Sequence, residues 1–102
     1  MVLIGILNDI KNFLSKSNID KQQFVAQLIS GMTRANKLFS YMDDIETFDE
    51  MVSLIAFNIA DGDTNLATLV SHLIFTYVDI TKDLDEENRM HLKEMIAFYL
   101  QK

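Results

Sequence analysis

Two histidines, fifteen carboxylates and one aspartate-rich turn are the groups from which this 102-residue chain could build a reactive or ion-binding centre. The turn, Asp61-Gly62-Asp63-Thr64-Asn65, imitates positions one, three and five of a calcium loop. Such a loop also needs glycine at its sixth position and a bidentate glutamate at its twelfth. Here those positions hold Leu66 and His72, so the pattern fails twice. A helix C-cap followed by an N-cap accounts for every residue of the turn.

The histidines do not complete a site either. His72 lies between Ser71 and Leu73 in the most apolar segment, where a hydrogen-bonded core or helix-packing histidine is expected. His91 stands one turn from Glu87 and Glu94, the only grouping that resembles a small metal-binding bundle. Di-iron bundles require Glu-x-x-His on each of two helices plus two further glutamates. The residues three before His91 and His72 are Asn88 and Leu69. There is no G-x-S-x-G elbow and no glycine-rich loop after a strand. The absence of cysteine removes thiolate nucleophiles, disulfides and cysteine-ligated metals. The expectation is a non-enzymatic protein with no cofactor and no metal.

Charge order is more informative than any motif. Residues 1–42 carry two acids and five bases, a net +3; residues 43–87 carry twelve acids and one base, a net −11; residues 88–102 carry a net +2. Free nucleic acid is therefore not the expected ligand, because phosphate contacts need lysine and arginine. Asp43, Asp44, Glu46, Asp49 and Glu50 fall within eight residues, with Tyr41 and Phe48 beside them and Asp61 and Asp63 further on. Capping at helix starts explains Asp49, Glu50, Asp63, Asp83, Glu86 and Glu87, since the helix dipole favours acids there. It leaves Asp43, Asp44 and Asp61, which the pattern puts at helix ends, where acids oppose the dipole. These nine residues are the candidate partner-binding surface: the acids steer a basic protein and the aromatics supply a packed centre.

Helices must position those residues. Three glycines and no proline leave few places to turn hairpins. Leu3, Ile6, Leu7, Ile10, Phe13 and Leu14 form one stripe at spacing three and four, predicting a first helix that ends near Lys16. Asp20 caps a second helix over about 21–42, with Gln23 three residues on and Ile19 and Phe24 at the staple positions. Val25, Leu28, Met32, Ala35, Phe39 and Met42 form its seam, and Gly31 inside it points to close helix approach. Thr47 with Glu50 predicts the start of a third helix carrying Met51, Val52, Leu54, Ile55 and Ile59 and stopping at Gly62. A fourth, capped by Asp63 or Thr64, is apolar over more than half its circumference and is expected to be the central one. Its β-branched residues also suit a strand, but its length and spacing favour helix. The fifth opens on Asp83, Asp85, Glu86 and Glu87 and uses Met90, Leu92, Met95, Ile96, Tyr99 and Leu100 as its apolar face.

The reading is one all-α domain over residues 1–102, a compact bundle of about five short helices. No segment reaches the roughly 20 apolar residues a bilayer crossing needs, and Met1 to Leu7 lacks a basic n-region and cleavage site. A cytoplasmic protein without membrane association is expected. Small size, missing catalytic motifs and the acidic block favour an inhibitor of a basic protein, such as an immunity protein or antitoxin against a nuclease toxin. A helical adaptor or regulatory subunit binding through an apolar groove is the alternative. Seven phenylalanines, six methionines and three tyrosines are more than five short helices can bury, which allows a homodimer.

Overall fold

The computed structural model describes residues 2–102, leaving only Met1 outside. It contains five helices: α1 (Val2–Ser15), α2 (Lys21–Tyr41), α3 (Ile45–Ile59), α4 (Thr64–Thr81) and α5 (Glu86–Gln101). No strand occurs among the described residues, and no described helix is long and apolar enough to cross a membrane. The Cα radius of gyration is 12.8 Å, as expected for a close-packed chain of this length (about 13 Å).

Aspartates set the starts of four helices. Asp20 accepts hydrogen bonds from the Gln22 and Gln23 amides, Asp63 from Leu66 and Asp85 from Asn88. The start of α3 differs from the Thr47 expectation. Asp44 is the N-cap, accepting from the Glu46 amide, and the Thr47 hydroxyl donates to the same carboxylate at 2.8 Å. An aspartate in extended conformation three residues earlier offers the first turn its acceptor before Thr47 can.

α4 lies at the centre, packed on α1, α2 and α3, and buries Leu66, Val70, Leu73, Ile74, Tyr77, Val78 and Thr81. α2 and α3 approach closely where Gly31 sits. A Cβ at that position would stand 2.8 Å from Ile59 Cδ1 and 2.9 Å from Ile55 Cγ2, so only glycine lets the helices meet at this distance. Phe48 locks the N-terminal end of α3: its ring meets Phe39 of α2 and Phe75 of α4 edge-on, with centroids 5.3 and 6.0 Å away.

Three expectations about faces are corrected. Phe48 is buried, because it sits on the side of α3 that also carries Val52, Ile55 and Ile59. Leu54, expected among the inward residues, points to solvent from the opposite side. His72 is exposed, since the inward face of α4 is filled by Leu66, Val70, Leu73 and Tyr77.

α5 departs most from its expected packing. Met90 and Met95 are exposed, while Lys93 is buried with Ile96 and Leu100. The helix is tied down by polar contacts. Arg89 donates from Nε to the Thr81 carbonyl (2.9 Å) and from Nη2 to the Lys82 carbonyl (3.1 Å), satisfying carbonyls at the end of α4. Tyr77 OH donates back to the Arg89 carbonyl, Lys93 Nζ donates to Thr33 Oγ1 at 2.9 Å, and Tyr99 OH donates to Asn8 Oδ1. Asn36 donates to Thr81 Oγ1, whose own hydroxyl donates to the Tyr77 carbonyl. Thus the buried polar groups between α2, α4 and α5 form a satisfied network.

Candidate functional site

The candidate acids belong to α3 and its two flanking turns. At 100° per residue, Glu46, Asp49, Glu50, Ser53, Leu54 and Phe57 fall on one side of α3, opposite Phe48, Val52, Ile55 and Ile59. This outer strip is acidic in its first half and apolar in its second. Leu54 is 61% exposed and Phe57 46%, and together with Asp49, Glu50 and Ser53 they line a shallow depression. Leu54 and Phe57 are functional candidates that charge order missed. The available signal was their position, one and two turns beyond Glu50 on the same side of the helix.

The strip carries its charge without internal neutralisation. Among the described residues the ion pairs are Lys82–Asp79 and Arg89–Glu86, both local to α4 and α5. No lysine or arginine occurs between residues 43 and 81. Three carboxylates, those of Glu46, Asp49 and Glu50, stand in solvent on two consecutive turns with no ion-pair partner among the described residues.

Not all nine candidates share this surface. Tyr41 is exposed at the C-terminal end of α2, and Asp43 is exposed in the turn that follows. Phe48 anchors the strip from beneath and cannot touch a partner. Asp61 and Asp63 lie past the far end of α3, about 21 Å along the helix from Ile45.

Two of the acids set apart as unexplained by capping have local roles. Asp44 caps α3, and the Thr47 hydroxyl followed by the Glu46 amide holds its carboxyl below the usual carboxylate value. Asp61 follows the last turn of α3 with φ +54°, its amide donating to the Asn58 carbonyl while the Gly62 amide donates to Phe57. This is a Schellman stop in which aspartate occupies the left-handed position usually given to glycine. Gly62, expected to hold that conformation alone, shares it at φ +83°. Asp43 is the acid for which the fold supplies no role.

Another cleft lies between the α1–α2 turn and the end of α3, where Asn18, Asp20, Gln23, Gln27 and Asn58 surround Ile59 beside Asp61. Its lining mixes four amides with the carboxylates of Asp20 and Asp61 and the apolar Ile19, Phe24 and Ile59, and it brings together no nucleophile and base. On α5, His91, Glu87 and Glu94 are exposed, and among the described residues no three histidine, aspartate or glutamate side chains converge on a point where a metal ion could sit. No protein-family model matches the chain, and neither a curated protein nor a solved structure matches it.

Proposed function

We propose that this chain is a non-enzymatic cytoplasmic interaction protein, an acidic helical inhibitor that covers a basic partner. Its most concrete form is an immunity protein or antitoxin that neutralises a nuclease toxin. The observation that carries this reading is the outer strip of α3. Its unpaired carboxylates supply long-range attraction and orientation for a cationic surface. Leu54 and Phe57 beside them supply apolar area that a docked partner would remove from water. A nuclease surface built to hold phosphates is cationic, and a carboxylate strip competes for it.

The test is to express the product of the gene immediately upstream in a growth assay, alone and together with this chain. The expected result is growth arrest relieved by co-expression. With the purified pair, Glu46→Lys, Asp49→Lys and Glu50→Lys combined should slow association by about tenfold or more at low salt, with folding intact by circular dichroism. Absence of arrest removes the toxin form, and unchanged association after the triple reversal removes the α3 strip. The adaptor reading is favoured by one observation, the apolar side chains exposed on α5.

A further inference from the structure

The outward face of α5 has a chemistry that the acidic strip lacks: it can complement itself. Glu87, His91, Glu94, Met95, Phe98 and Lys102 project from the side of α5 opposite the buried Lys93, Ile96 and Leu100. Met95 is 57% exposed and Phe98 65%, and with His91, Glu94 and Tyr99 they line a shallow apolar groove. The acids lie in the first two-thirds of this stripe and its lysine at the last position, with hydrocarbon between. A copy of α3 laid antiparallel on α3 would set its carboxylates opposite Ser53, Leu54 and Phe57, with no base to meet them. A copy of α5 laid antiparallel on α5 can oppose Glu87 to Lys102.

We infer that this face is the interface of a two-fold dimer in which α5 packs antiparallel against α5 of a second copy. A symmetry axis between positions 94 and 95 brings each residue opposite its counterpart in a self-complementary register. Glu87 then faces Lys102 of the second copy, His91 faces Phe98, and Glu94 faces Met95, so both methionines flank the axis. The antiparallel arrangement also sets opposite ends of the two helix dipoles side by side. The contacting segment is about 24 Å long. That is short for a standard interface of roughly 1,200–2,000 Å², so the dimer forms reversibly with concentration. The α3 strip shares no residue with this face.

Sedimentation velocity on the whole chain, from low micromolar to sub-millimolar concentration at low salt, tests this. The wild type should move from monomer to dimer. Glu87→Lys and Lys102→Glu, each alone, set like charges opposite one another and should weaken dimerisation by about fivefold. The double swap Glu87→Lys with Lys102→Glu restores the opposite-charge pair and should return it to the wild-type value. Met95→Glu, which adds a carboxylate beside Glu94 at the axis, should leave only monomer. Thermal melting confirms that each exposed substitution leaves the fold in place. The α3 triple reversal should not change the dimer, which separates this inference from the α3 reading. A wild type that stays monomeric throughout, a species larger than a dimer, or a double swap no better than the single changes would overturn it.

Discussion

α3 and α5 are built in opposite senses. α3 is held by hydrocarbon, with Phe48, Val52, Ile55 and Ile59 inside, and it turns carboxylates toward solvent. α5 buries only Lys93, Ile96 and Leu100 and is held by hydrogen bonds from Arg89, Lys93, Tyr77 and Tyr99, while Met90, Met95 and Phe98 stand outside. Burial of apolar surface is non-directional, so α3 needs only the correct face inward. Hydrogen bonds are directional, so α5 is fixed in rotation at a few points, with Leu92, Ala97 and Tyr99 packed beside the buried Ile96 and Leu100. Two different surfaces result, one with carboxylates followed by hydrocarbon and one with hydrocarbon between acids and a lysine.

The sharpest way to break this comparison is to remove one inward side chain from each helix. Phe48→Ala should cost about 3–5 kcal/mol in urea unfolding, the usual loss for a buried aromatic whose neighbours cannot close the gap. Ile96→Ala should cost about 2 kcal/mol, near the bottom of the range for such truncations. Equal losses would mean that α5 rests on its apolar contacts as much as α3 does.

A change of pH probes the polar side. Burial, against the opposing pull of the Thr81 hydroxyl and the Arg89 guanidinium, pushes the Tyr77 phenol up to about 12 from its ordinary 10. The neutral phenol is thus favoured in the fold. Its contribution is complete below pH 10 and is lost as pH rises through about 12, because the unfolded chain ionises first. Two units correspond to as much as about 3 kcal/mol. Because Tyr77 OH donates to the Arg89 carbonyl, amide exchange in α5 should rise ahead of that in α3 across this window. Tyr77→Phe should abolish that additional alkaline loss; its persistence in the variant would assign the loss to another group.

The smallest effect concerns the end of α3. Asp61→Gly should stabilise the protein by about 1 kcal/mol, relieving a left-handed non-glycine residue and removing an acid from a helix C-terminus. A loss of stability in thermal melting would show that the Asp61 side chain makes a contribution exceeding that relief.

The helices were legible because caps and periodicity agreed along the chain. Asp20 and Asp63 marked starts, Gly31 announced the close approach of α2, and the unbroken apolar character of α4 announced the centre. Rotation was harder to read. On α5, Leu92, Ile96 and Leu100 make one stripe at helical spacing and His91, Met95 and Phe98 make another. What selects the first is Arg89 reaching the carbonyls of Thr81 and Lys82, a contact between helices that no spacing records. The same holds on a smaller scale for Phe48, whose place beside acids suggested a surface aromatic until Phe39 and Phe75 closed around it. Charge order located the acids of α3, and it also took in Asp61 and Asp63, which stand past the far end of that helix from Glu46, in the turn beside Phe57.

Gly31 has a consequence for the thermodynamics of any encounter with α3. Ile55 and Ile59 come so near the α2 backbone that a single added carbon would collide with them, and this close packing opposes sliding of α3 along α2. Its outer strip is a fixed ruler, with carboxylates and then hydrocarbon at set intervals. A partner seating on it meets a backbone already ordered, so the ordering entropy on this side is confined to the exposed side chains of Glu46, Asp49, Glu50, Leu54 and Phe57. Rigid partners should gain most from such a surface, and flexible ones should give up affinity in conforming to it.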